Sequence, residues 1–242
     1  MRLMGVTQLS TVDWPGKLVM VVFMQGCNLR CPWCQNSFGV DPSGGYEATA
    51  EAILASANPD FLDGVLLSGG EPTLQSDACM EIFKLAKEAG LKCAMETNGS
   101  RPEVIRRLLP QLDFIAIDIK APLSEPSLYA KATGTNNSEL PGLVRQSLQL
   151  AAKSGIDMEA RTTVVPGLND AEGIIAKIAS DAKEAVCLRL QQFRNVRTLD
   201  PEFQNLLPPS REKMLSLAFA AKRAGANNVK IFTSERGLET IE

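Results

Sequence analysis

The chain has no histidine among its 242 residues. That absence excludes Ser-His-Asp and Cys-His triads, H-E-x-x-H zinc sites and any imidazole acid–base step. Aromatic residues are few, with two Trp and two Tyr. No apolar run approaches the roughly 20 residues that a bilayer-crossing helix needs. The start, Met1-Arg2-Leu3-Met4-Gly5, lacks the apolar core and small-residue cleavage site of a signal peptide. A net charge of −3 leaves no basic footprint for nucleic acid. Free cysteines without a secretion signal point to a reducing cytoplasm. A chain this poor in nucleophile–base pairs leaves its hard chemistry to a cofactor.

What is present alternates between two element types. Apolar runs read as buried parallel strands at Leu18 to Met24, Gly64 to Ser68, Leu91 to Glu96, Phe114 to Ile119, Met158 to Val165, Val186 to Gln192 and Val229 to Thr233. Amphipathic helical patterns fall between them at Ala48 to Ala57, Ser76 to Ala89, Pro102 to Leu109, Leu140 to Ser154, Asp170 to Lys183 and Ser210 to Ala224. Several end in glycine, the expected helix stop. This alternation predicts α/β architecture with a parallel sheet. The number of units suggests an incomplete (β/α) TIM-like barrel, with an open Rossmann-type sheet as the alternative. Residues 1–242 are expected to form one domain, with the chemistry at the C-terminal ends of the strands.

The densest signal is Gln25-Gly26-Cys27-Asn28-Leu29-Arg30-Cys31-Pro32-Trp33-Cys34, where cysteines fall at C-x3-C-x2-C. Such spacing lets one loop wrap its thiolates around one inorganic centre. An electron-transfer cubane uses four thiolates. Three leave one iron open to a small molecule, as three-ligand zinc sites leave an open position. A structural zinc would need a distant cysteine or carboxylate as fourth ligand, and a disulfide cannot satisfy three clustered thiols. Cys79, Cys93 and Cys187 stand singly and read as small buried hydrophobes. Met80 and Met214 fall on apolar helical stripes.

This spacing, with Trp33 just before the last cysteine, resembles the radical S-adenosylmethionine (radical SAM) superfamily. Gly69-Gly70-Glu71-Pro72 resembles its GGE motif. Glu96-Thr97-Asn98-Gly99, Asp118-Ile119-Lys120 and Arg161 through Pro166-Gly167 resemble segments of the glycyl-radical-enzyme activating proteins. Each also has a plain structural reading: a strand-to-helix turn, an Asn-Gly turn, a surface ion pair and a structural ion pair. Ser10 to Lys17, with its Asp13-Trp14-Pro15-Gly16-Lys17, resembles activators of anaerobic ribonucleotide reductase most. So do Leu190 to Arg194, Leu199-Asp200-Pro201 and Pro208 to Glu212. The departures are Trp14 for glycine, Gln35 for histidine, Glu96 for aspartate, and the tail Phe232 to Glu235.

The resemblance implies a [4Fe–4S] cluster on Cys27, Cys31 and Cys34 in a loop at 25–36, with SAM on the open iron. It implies SAM-binding strand ends up to about residue 195, followed by a C-terminal helix and strand within 209–234. Gly69, Gly70 and Glu71 would take the SAM amino group, and Thr97 and Asn98 would lie beside SAM. Asp118 and Lys120 would face its carboxylate, Arg161 would orient it, and Trp33 would lie near the adenine. No catalytic acid or base is implied. A flavodoxin or ferredoxin would supply one electron, SAM would be cleaved reductively, and a 5′-deoxyadenosyl radical would take hydrogen from a glycine of a partner enzyme. The chain's compactness suits a protein substrate. The alternatives are a small-molecule radical SAM enzyme similar to 7-carboxy-7-deazaguanine synthase, and a non-catalytic metal module.

Overall fold

The computed structural model describes residues 1–242. Strand β1 (Arg2–Ser10) leads into β2 (Val19–Met24), β3 (Tyr46–Glu47) and helix α1 (Ala50–Leu54). Regular units follow: β4 (Gly64–Gly69) with α2 (Ser76–Glu88), then β5 (Lys92–Thr97) with α3 (Pro102–Leu108). Next come β6 (Phe114–Asp118), α4 (Pro126–Thr133), α5 (Leu140–Ser154), β7 (Asp157–Val164) and α6 (Glu172–Asp181). The chain ends with β8 (Cys187–Gln192), α7 (Arg211–Arg223), β9 (Val229–Thr233) and β10 (Gly237–Ile241).

All the strands join one sheet in the order β10-β9-β8-β7-β6-β5-β4-β2-β1-β3. From β2 to β9 the pairing is parallel. These are the seven apolar runs of the sequence. The edge strands β1, β3 and β10 pair antiparallel. The two ends of the sheet do not meet, so the barrel is open. The edge strands escape the sequence pattern because they are not continuously buried: Gly237 to Thr240 alternates half-buried with exposed residues, and both residues of β3 are exposed. Helix α1 is shorter than its apolar pattern, since Thr49 caps it by accepting the Ala52 N–H at 3.2 Å and Asn58-Pro59 begins a 3-10 turn soon after. Helices α2, α5 and α7 stop before Gly90, Gly155 and Gly225, each at positive φ.

Side chains alternate across the sheet. One face packs against the helices in a large core that includes Val22, Leu67, Ile82, Phe83, Met95 and Leu217. The opposite, concave face carries a smaller apolar cluster of Trp14, Val19, Val21, Leu66, Ala94, Phe114 and Ala116. Trp14 reaches it from the loop between β1 and β2 and stacks on Phe114 with ring centroids 5.4 Å apart. Trp14 therefore plugs one end of the open barrel. Trp14→Ala removes a large buried side chain and is expected to cost about 3 to 5 kcal/mol, read as a lower denaturant midpoint.

Candidate active site

The loop after β2 is held from both sides. The Gly26 N–H donates to Gly39 O at 2.8 Å, the Cys27 N–H to Val40 O at 3.1 Å and the Arg30 N–H to Thr133 O at 2.9 Å. The Leu29 N–H points at Cys27 Sγ at 3.4 Å. Cys31 is buried and Cys27 and Cys34 half-buried, and no thiol is in a disulfide. All three thiols border one cavity of about 390 Å³ at the C-terminal ends of the strands. Burial pushes all three upward, Cys31 to about 12, and the neighbouring thiols add to the rise at Cys27 and Cys31. The other cysteines are buried alone; Cys79 Sγ donates to Pro72 O at 3.2 Å.

The Gly69-Gly70-Glu71 loop meets the cysteine loop backbone to backbone. The Glu71 N–H donates to Gly26 O at 2.8 Å, and Asn36 Nδ2 to Gly69 O at 3.3 Å. A Cβ on Gly70 would lie 2.1 Å from Gly26 O, so only glycine fits that approach. Gly69 and Gly70 border the cavity, but Glu71 does not. Its carboxylate is wholly buried. It accepts from the Thr73 N–H at 3.1 Å and hydroxyl at 2.5 Å, from the Thr97 hydroxyl at 2.7 Å and from the Asn98 N–H at 2.7 Å. Burial pushes this carboxyl up, against the pull of its donors. Glu71 thus differs from the expected ligand contact: it fastens two strand ends together and reaches the cavity only through them.

Thr97 and Asn98 do border the cavity, yet their side chains are spent internally. Asn98 Nδ2 donates to Asn28 Oδ1 at 2.9 Å, and its Oδ1 accepts the Ser100 N–H at 2.9 Å. Asn28 in turn donates to the Ser100 hydroxyl. The strand end after β5 is in this way tied to the cysteine loop.

At the end of β6, Lys120 Nζ lies 2.9 Å from Asp118 Oδ2 and 5.0 Å from the Trp33 ring centroid. Burial works against the Lys120 charge, but the neighbouring Asp118 outweighs it and holds the ammonium above the ordinary lysine range. Trp33 is anchored by its Nε1–H to Ala132 O at 3.0 Å. These three predicted residues meet on the thiol side of the cavity.

Arg161 borders the cavity too, but all its nitrogens are engaged. Nε donates to Glu159 Oε1 at 2.5 Å, Nη1 pairs with Glu96 Oε1, and Nη2 donates to Asp13 O at 2.8 Å. Burial opposes the charge, but Glu96 and Glu159 outweigh it and hold the guanidinium up. The strand register explains the pairing. Glu96, Ala116 and Glu159 lie side by side on β5, β6 and β7, and the small Ala116 leaves room for Glu96 to reach Arg161 across β6.

Arg189 on β8 borders the cavity and escapes the motif reading, while Gln191, Gln192, Arg194, Phe232 on β9 and Val12-Asp13 border it from segments that the sequence marked without giving them a site role. Arg189 left a signal, a charge set between Leu188 and Leu190 in an apolar run. Gln35 clips the cysteine loop to the segment after β8, donating to Arg194 O at 2.8 Å. Ser37 Oγ donates to Arg197 O and the Asp200 N–H to Pro32 O.

The residues fit an iron–sulfur cluster with a bound cosubstrate. Three free thiols border one cavity of ligand size. Cys27, Cys31 and Cys34 would hold the iron, and the Gly69-Gly70 backbone, Asp118, Lys120 and Trp33 would border the cosubstrate.

Two substitutions test this packing. Gly134 lies at φ +63°, and a Cβ there would stand 2.1 Å from Arg30 O, so Gly134→Ala is expected to displace the cysteine loop. Iron and sulfide per chain after reconstitution should fall, with far-ultraviolet circular dichroism unchanged. Glu71→Ala orphans its buried donors and is expected to cost roughly 3 kcal/mol or more, measured by denaturant unfolding.

The radical SAM superfamily profile matches residues 21–178. A Methanocaldococcus jannaschii protein described as a glycyl-radical enzyme activating enzyme is 36% identical over 222 residues, spanning 90% of this chain and 91% of the relative. A pyruvate formate-lyase-activating enzyme of Clostridium pasteurianum is 32% identical over 188 residues, spanning 75% and 76%. The fold is similar to that of a radical SAM methyltransferase from Sphaerobacter thermophilus, with TM-score 0.70 and 19% identity over 93% of this chain and 69% of that one. The chain belongs to the radical SAM superfamily, whose enzymes use a [4Fe–4S] cluster and S-adenosylmethionine, and within it to the glycyl-radical-enzyme activating enzymes.

Proposed function

We propose that this enzyme installs a glycyl radical on a partner protein. The observation that carries the reading is the meeting, in one cavity, of three free thiols with Gly69-Gly70, Asp118, Lys120 and Trp33. When bound, the cluster and SAM supply the electron transfer and the hydrogen-abstracting radical. The chain's own residues bind and orient. Cys27, Cys31 and Cys34 hold the iron, while the Gly69-Gly70 backbone, Asp118 and Lys120 meet the polar end of SAM. Thr97 and Asn98 keep the adjoining strand end in place, and Trp33 flanks the adenine. The plug at Trp14 excludes water from the opposite end. The sheet's failure to close leaves lateral access for a partner's loop.

The partner in this reading is anaerobic ribonucleotide reductase. The segments that resemble its activators lie on the site itself: Val12 and Asp13 border the cavity, and residues 194–200 lie against the cysteine loop through Gln35, Ser37 and Pro32. A flavodoxin or ferredoxin in a reducing cytoplasm supplies the electron. No helix is long and apolar enough to cross a membrane.

The test is anaerobic reconstitution, reduction, and incubation with SAM and candidate partners, followed by EPR. A glycyl radical doublet is expected on the reductase, and Cys27→Ala, Cys31→Ala or Cys34→Ala should abolish it. A doublet appearing only on a formate-lyase-type partner would replace the partner assignment. Deoxyadenosine formation that needs a small molecule and no protein would overturn the activase reading.

A further inference from the structure

The connection from β8 to α7 holds only a single 3-10 turn, Pro201–Asn205, and its first residues run along the cavity, which Arg194 borders. It is pinned at both ends. The Phe193 N–H donates to Val164 O at 3.3 Å. At the far end Phe203 and Leu206 pack on the main core, and Pro209 O accepts from Gln192 at 2.8 Å. Between these pins, every hydrogen bond that residues 194–208 make to the rest of the fold goes to the segment Pro32 to Ser37. Gln35 Nε2 donates to Arg194 O at 2.8 Å, Ser37 Oγ to Arg197 O at 2.9 Å and the Asp200 N–H to Pro32 O at 2.8 Å. The remaining bonds turn inward: Asn195 reaches Gln204 O, and the hydroxyl of the buried Thr198 reaches Asp200 O.

Two features make this seat conditional. Arg197 lies at φ +55°, the one residue other than glycine in the left-handed region. Such backbone persists only where its surroundings hold it, and the tie on Arg197 is the Ser37 hydroxyl. The anchors in turn depend on the thiols. Pro32 lies between Cys31 and Cys34, and Gln35 follows Cys34 directly. Joining three thiolates to one centre closes this loop and removes its alternatives, and so fixes where Pro32 O and the Gln35 amide stand.

We propose that residues 194–200 form a strap that seats on the cysteine loop when the cluster is in place and lifts when it is not. Cluster assembly then completes the rim of the cavity that a partner's loop must pass. Gln35 and Ser37 are the positioning residues of this device. Arg194, Val196 and Arg197 are exposed, so a lifted strap alters both the cavity wall and the surface beside it. This inference rests on the iron–sulfur reading above.

The test is limited trypsin digestion of the full chain, kept anaerobic, with and without the reconstituted cluster, the fragments being identified by mass. The exposed Arg194 and Arg197 are the cleavage points of the strap. Where a segment opens and closes faster than it is cut, the cutting rate follows the open population. Cleavage there is expected to be about tenfold or more faster in the cluster-free chain, the worth of two ordinary hydrogen bonds. In loaded protein, Gln35→Ala with Ser37→Ala should speed strap cleavage by a similar factor, with iron and sulfide per chain at the wild-type level. Putting Ser37→Thr in place of Ser37→Ala keeps the hydroxyl and should restore part of the protection. A cluster-free chain loosened throughout does not blunt the test, because the loaded variants read the same ties.

Equal strap cleavage in loaded and cluster-free protein would overturn the proposal, as would a loaded double variant cut no faster than wild type. Wild-type protein that takes up no iron and sulfide would overturn the iron–sulfur reading as well, which separates the two failures.

Discussion

The site depends on one buried carboxylate. Glu71 is wholly enclosed, and its two oxygens collect donors from Thr73, Thr97 and Asn98. Its own N–H reaches back to Gly26 O. One side chain therefore joins the ends of β4 and β5 and, through the backbone, the cysteine loop between β2 and β3. A buried charge is tolerated when its hydrogen bonds are complete, and such completeness also makes the arrangement specific. The cysteine loop is short of regular structure, so its order comes from these side-chain and backbone ties.

The concave face of the sheet is divided along its length. Toward β2 and β4 it is apolar, filled by Val19, Val21, Leu66 and the plug residue Trp14. Toward β7 and β8 it carries Glu159, Arg161 and Arg189. A barrel packed with apolar side chains throughout would leave no cavity. Here the charged half, with Ser68 Oγ donating to Glu96 at 2.7 Å, builds a polar floor beneath the strand ends. Rigid placement of binding groups on strands, with a covered far end, is what cosubstrate orientation requires. The plug serves both halves: its indole packs on Phe114, and its carbonyls receive Arg161 and Arg189.

The segment after β8 adds a further tie to the cysteine loop. Residues 194–200 lie against the cysteine loop by contacts from Gln35, Ser37 and Pro32. Gln35, which departs from the family's usual histidine, donates here through its amide. An amide holds that contact without titrating, whereas an imidazole would change charge near neutral pH.

Much of the architecture was legible in the chain itself. Strands buried on both faces need continuous apolar runs, so the seven parallel strands announced themselves, as did the main helices with their glycine stops. The meeting of the three thiols at one cavity was legible because they lie close in sequence on one loop. Edge strands were not legible, because backbone pairing with one wet face demands little of their side chains. Nor could periodicity tell which polar residue at a strand end turns to the cavity and which is consumed within the fold. Glu71 and Arg161 look like ligand contacts in sequence and are internally satisfied in space. Arg189 looks incidental in sequence and borders the cavity in space. Local pattern thus determined the element order, the cysteine loop and the end of the sheet where the cavity lies. Only the tertiary structure decided which charges are already paired, because pairing runs across strands distant in sequence and depends on register and on the small Ala116 between them.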